Sequence, residues 1–200
     1  SGVKKSDAKR PNLRDMQPVP QLISDAYSYN SGILFQYPPQ VQSNRAAMGM
    51  YWVGDLMIEC RLEVLAAGGS VRLDLVEGGK HFACTINLES GVATLGIDNA
   101  FYNSAGEPSK LPEALTSIRG PGIYELRFAN FDDQLFLWVN GKPIAFDLPS
   151  TYPPLDNTIP VSDEEEGGDL APVGIGASGA SVAVDRLRIL RDVYYISVPS

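Results

Sequence analysis

Asn130, Asp132 and Asp133 crowd oxygen donors into one short stretch, and a hard cation such as calcium accepts donors of this kind alongside backbone carbonyls. Asx residues also favour turns unaided, because their side chains bond the backbone that follows, so a calcium site and a plain turn are both open readings. Just downstream, Phe136 and Trp138 alternate with Leu135, Leu137 and Val139. Side chains alternate across a pleated strand, so the two aromatics point away from the aliphatic side. There they either lie under cover of the chain or form an aromatic platform for a sugar or a peptide, which Tyr51 and Trp52 could widen.

Catalytic groupings are scarce. A retaining glycosidase needs two carboxylates about 5 Å apart, for which E-x-D-x-x-E is the strand pattern, and that pattern is absent. Glu59, Arg61 and Glu63 share one strand face, but the arginine between the glutamates reads as a solvated charge ladder. His81 is the only histidine, so a triad or a multi-histidine zinc site would have to use it. Alternation with Phe82 turns it outward, and Gly79 and Lys80 supply no triad context, so it reads as an exposed turn residue. The acidic run Asp163 to Glu166 reads as a solvated loop. No catalytic residue is assigned, and no cofactor is implied beyond the calcium possibility.

The elements that must position these residues are strands. Asn140-Gly141 supplies the two positive-φ positions of a type I′ hairpin turn, and Lys142 to Phe146 is expected to return as a partner strand, at an edge or bulge because of Pro143. Four strands are predicted at about 56–64, 71–77, 81–88 and 92–97, joined by AAGGS, GGK and ESG as consecutive hairpins of one meander. Residues 115–118 stay unassigned, 123–130 form a further strand, and 147–170, with four prolines, read as a surface excursion. In SVAVDRLRIL, Val182, Val184, Leu187 and Ile189 share a face only if a β-bulge changes the phase near Asp185. Cys60 and Cys84 both point inward. With VRLDLVEG as the strand between them they would lie about 9.5 Å apart, beyond the ~7 Å limit for bridging, so two buried free thiols are expected. About eight to ten strands without an amphipathic helix predict an all-β fold, a two-sheet antiparallel jelly-roll sandwich.

The chain has 200 residues and a net charge of -8, which opposes nucleic-acid binding over most of the surface. No apolar run approaches the roughly 20 residues of a membrane span. Ser1-Gly2 reads as a cleavage scar, so export stays open. Residues 1–20, with Lys4, Lys5, Lys9, Arg10 and three prolines, read as a linker or flexible arm, and 21–198 as a single sandwich domain.

The order of motifs resembles the concanavalin A-like, laminin-G-like sandwich, in which an aromatic-rich strand and a V-N/D-G-K hairpin precede a glycine-rich segment leading to the last strand. LISDAYSYN, VGDLMIECRLEV, LRFANFDDQLFLWVNGKPIAFD and DLAPVGIGASGASVAVDRLRILRDVYYI together look like the domain inserted into planctomycete-type type I signal peptidases. That family cleaves signal peptides with a Ser/Lys dyad at the outer face of the cytoplasmic membrane. Its S-M-x-P serine motif, its K-R-x-x-G-x-P-G lysine motif and its G-D-N box are absent here: Lys9-Arg10 runs into Pro11-Asn12, and Gly54-Asp55 and Gly168-Asp169 are each followed by leucine. The resemblance therefore implies a non-catalytic accessory domain of a membrane-anchored serine endopeptidase, on the extracytoplasmic side, that binds or positions a glycan or protein partner. The residues alone leave open a free-standing carbohydrate-binding lectin-like module, a glycoside hydrolase with relocated carboxylates, with Glu59 and Glu63 the first suspects, and a spacer that binds nothing.

Overall fold

The computed structural model describes residues 20–24, 52–66, 68–155, 159–162 and 167–192. Residues 1–19 of the expected arm, Tyr51 and the run 163–166 lie outside the described residues.

Among the described residues ten strands form two five-stranded antiparallel sheets. The first holds β10 (Val182–Arg191), β1 (Leu56–Val64), β6 (Gly122–Phe131), β7 (Gln134–Val139) and β8 (Lys142–Pro143), in that order. The second holds β5 (Glu113–Leu115), β4 (Val92–Ile97), β3 (Lys80–Asn87), β2 (Ser70–Glu77) and β9 (Val173–Ser178). Among the described residues the only helical element is a 3₁₀ turn at Gly168–Leu170. Among the described residues the protein is an all-β, two-sheet antiparallel jelly-roll sandwich, as its residue pattern predicts.

Alternation creates the core. Every second residue of β1, from Leu56 to Val64, is buried, and Val71, Leu73 and Leu75 do the same from β2. Phe82, Ile86, Leu95, Leu126, Phe128, Leu135 and Leu137 complete a single apolar layer between the sheets. Burying a side chain of this size contributes on the order of 1.5–3 kcal/mol, so this layer is the main source of stability.

The expected meander is half right. β2, β3 and β4 are consecutive hairpin partners, but β1 belongs to the opposite sheet. The connector is therefore a crossover between layers, and Gly68 and Gly69 carry it at φ of 104° and 72°. Cys60 and Cys84 are free and buried as expected, but they project from facing sheets rather than from strands of one sheet. β5, Glu113–Leu115, pairs with β4 and reaches the unassigned stretch only at Leu115, and 116–118 form no strand. The return strand after Asn140-Gly141 is only Lys142–Pro143, because proline has no N–H to extend the ladder, and it forms the sheet edge.

The bulge near Asp185 is present. Glu59 pairs with Arg188 but Arg61 pairs with Asp185, so two β10 residues stand opposite Cys60 alone. Arg186 takes φ 52° there, and Val184 and Ile189 return to one face.

Candidate functional site

Register aligns five strands into a single row on the outer face of the first sheet. Arg188 pairs with Glu59, Glu59 with Arg127, Arg127 with Trp138, and Trp138 with Pro143. Directly opposed residues have Cβ atoms about 4.5–5.5 Å apart and share a face, so charge passes into aromatic surface without a break. The next row toward the chain ends of the sheet is apolar, Leu190, Met57, Ala129 and Phe136. On the other side lie Asp185, Arg61 and Glu125.

Phe136 and Trp138 are half-buried on the outer face, with ring centroids 5.6 Å apart and planes at 23°. Neither belongs to the buried core. Trp52 bridges Ser24 ahead of β1 and is not part of the row.

Glu59 sits between two guanidinium groups. Arg127 Nε donates to its Oε2 at 2.5 Å and Arg188 Nη1 to its Oε1 at 3.0 Å. These contacts, led by the Arg127 hydrogen bond and opposed in part by burial, hold its carboxyl below the usual carboxylate range. A carboxylate so held is a poor proton donor, and Glu63 lies four residues along the strand, about 13 Å away at strand rise. That arrangement does not supply the facing acid pair of a glycosidase.

Beside the row lies an open recess of about 480 Å³ lined by Glu59, Glu125, Arg127, Asn140, Gly141 and Arg186. The Asn140-Gly141 turn forms one wall, with φ of 51° and 74° as a type I′ turn requires. Asn140 Oδ1 accepts the Glu125 N–H at 2.9 Å, and the Asn140 N–H donates to the Glu125 carbonyl at 2.8 Å, fixing that wall. Arg61 and Asp185 pair at 3.2 Å near the bulge.

The three candidate calcium residues do not converge. Asp132 and Asp133 form a second tight turn, with φ of 49° and 57°. Asn130, by strand alternation, faces the core and is fully buried. Its Nδ2 donates to Glu77 Oε2 at 2.7 Å, and its Oδ1 accepts the Tyr152 hydroxyl at 2.5 Å. With both ends of its carboxamide committed, Asn130 has no role as a turn ligand, and no cluster of His, Cys, Asp or Glu suited to a metal occurs among the described residues. Burial, reinforced by Asp55 and Asp133, pushes the Glu77 carboxyl up to about 7. Nearby Asp169 is fully buried and accepts the N–H groups of Gly78, Gly79 and Val161, which pins the end of the 147–170 excursion to the β2–β3 turn.

His81 is outward, as alternation predicts, but it has a partner that chain neighbours do not reveal. Its Nδ1 lies 2.6 Å from Asp74 Oδ2, and Asp74 also accepts Arg72 Nε and Nη2 at 3.2 and 2.8 Å. Asp74 lies diagonally across the β2–β3 hairpin, a relation set by register.

No protein-family model matches the chain, and no curated protein matches it. Solved structures similar to it include the galectin LEC-6 of Caenorhabditis elegans, 15% identical, covering 70% of this chain and 84% of that one with a TM-score of 0.43. The carbohydrate-binding module CBM66 of Bacillus subtilis is 8% identical, with coverage of 68% and 74% and a TM-score of 0.47. The CBM40 module of the Ruminococcus gnavus IT-sialidase, bound to alpha2,6 sialyllactose, is 16% identical, with coverage of 72% and 79% and a TM-score of 0.38.

Of the row, the sequence singles out Trp138, and it marks Glu59 as part of a charge ladder and as a suspect glycosidase carboxylate. Arg127 and Arg188 were missed because their meaning lies in pairings across 68 and 129 residues. The usable signal was the alternation of β6, which turns Arg127 to the face that β7 gives to Trp138.

Proposed function

We propose that this chain is a non-catalytic glycan-binding sandwich module whose binding face is the outer surface of the first sheet. The observation that carries this reading is the continuous row Arg188, Glu59, Arg127 and Trp138 beside an open recess. A sugar ring offers an apolar C–H face and a rim of hydroxyls. A half-buried indole stacked on Phe136 suits the first, and fixed guanidinium and carboxylate groups suit the second. Glu59 is tied to two arginines, which favours recognition over bond cleavage. Within this reading the module works on the exported side of the cytoplasmic membrane, as the resemblance to the peptidase insertion implies, and presents a glycan to the parent protein.

Affinity electrophoresis through gels containing neutral and acidic polysaccharides tests it. Retardation by at least one polysaccharide, lost in Trp138→Ala with an unchanged circular dichroism spectrum, is expected. Equal mobility of both proteins in every gel would refute the reading.

A further inference from the structure

We infer that the glycan recognised at this face is an acidic one, whose sugar ring stacks on Trp138 while its carboxylate is held by Arg127 and Arg186. This inference rests on the glycan reading above and specifies its ligand class.

Glu59 shows that the row accepts a carboxylate, since one is already seated between Arg127 and Arg188. Neither arginine is exhausted by that contact. Arg127 commits its Nε–H and Arg188 one Nη1–H, and a guanidinium carries five N–H donors in a planar fork matched to carboxylate oxygens. Their side chains are 51% and 64% exposed, so the remaining fork of each is open to a ligand.

Arg186 adds the second independent observation. It is the extra residue of the β10 bulge, in a left-handed conformation that non-glycine residues adopt at a cost. A bulge re-aims a side chain, and here Arg186 lines the recess that Arg127 and Glu59 also line. A bulge with glycine at this position would solve the phase change of β10 without strain. An arginine there brings a third cation to one small area.

The local charge balance follows. Within the recess Arg127 and Arg186 balance Glu59 and Glu125, and Arg188, on the far side of Glu59, adds one positive charge in a chain whose net charge is -8. Charges elsewhere on the surface are screened beyond about 8 Å at physiological ionic strength, so a docked carboxylate senses chiefly these groups.

The test is isothermal titration of the full chain with trigalacturonate, with trimannuronate, and with the methyl ester of each, which keeps the sugar and removes the charge. At least one uronate trimer is expected to bind about tenfold more tightly than its ester, with the preference reduced at 0.5 M salt. Arg186→Gln is expected to abolish the preference for acid over ester, Arg127→Gln to abolish it and weaken ester binding as well, and Trp138→Ala to weaken acid and ester together. Equal affinity for acid and ester overturns the acidic class and leaves the glycan reading standing. Binding of neutral polysaccharide but of no trimer also overturns the class alone, and failure of every glycan overturns both. Arg186 is exposed, so its variant separates lost recognition from lost folding.

Discussion

Asn130 donates to Glu77 at 2.7 Å from inside the sandwich, and this bond links the end of β6 to the end of β2, one sheet to the other. The Glu77 carboxyl lies among Asp55, Asp133 and Asp169, with Tyr152 hydrogen-bonded to the far side of Asn130. Its folded pKa, about 7, is above its ordinary 4.5, so the native state binds more protons than the unfolded state between these values. Stability from this group is therefore full below pH 4.5 and is lost as pH rises through 7, to a ceiling of about 3 kcal/mol. Glu77→Gln is expected to flatten that slope and to raise the urea midpoint at pH 8. A variant less stable than the parent at pH 8 would contradict this account.

Neighbouring positions on β7 should separate folding from recognition. Leu137 is buried, and Leu137→Ala should cost about 2–5 kcal/mol in thermal or urea unfolding. Trp138→Ala should cost well under that, because Trp138 is only partly buried and lies outside the core, yet should abolish polysaccharide retardation. Similar destabilisation by both would show Trp138 to be structural.

Gly69 is irreplaceable for two reasons. Its φ is 72°, and a Cβ there would lie 2.3 Å from the Gly179 carbonyl carbon, which is backbone and has nowhere to move. Gly69→Ala should destabilise by about 2 kcal/mol or more. Gly141→Ala is the control: its φ is also positive, 74°, but no atom lies within 4 Å, so only conformational strain of about 1 kcal/mol is expected. Equal denaturation midpoints for the two variants would remove the steric argument.

Both thiols should be silent in the native protein. Burial pushes Cys60 up to about 11 and Cys84 up to about 12, and the thiolate is the reactive form. A chromogenic disulfide reagent at pH 8 is expected to detect neither cysteine until guanidinium is added, and then both. Rapid labelling without denaturant would count against the packed core around them.

Arg186→Gly should stabilise the fold by about 1 kcal/mol, since glycine takes a φ of 52° without strain. A lower melting temperature would mean that the arginine side chain itself supports the bulge.

Strand alternation made most of the fold legible, because period-two burial is written directly in runs such as LMIECRLEV. Even the β10 bulge could be read, since Val184 and Leu187 are out of phase by one residue. The sheet change between β1 and β2 could not, because AAGGS suits a hairpin and a crossover equally well. Asn130 misled for a related reason: its neighbours announced a turn, while its own alternation with Leu126 and Phe128 placed it inside. The aromatic half of the candidate site was visible on one strand. The charged half was not, because Arg188, Glu59 and Arg127 become neighbours only through pairing.

That scattering along the chain has a consequence during synthesis. The row needs residue 59 from the first strand and residue 188 from the last, 129 positions later. Contacts of such sequence separation form late, after loop-closure entropy has been met. A nascent chain leaving the ribosome therefore cannot display the assembled face until its final strand has emerged and docked. Ligand capture would then report completed folding, and a truncated or stalled chain would be blind to its target.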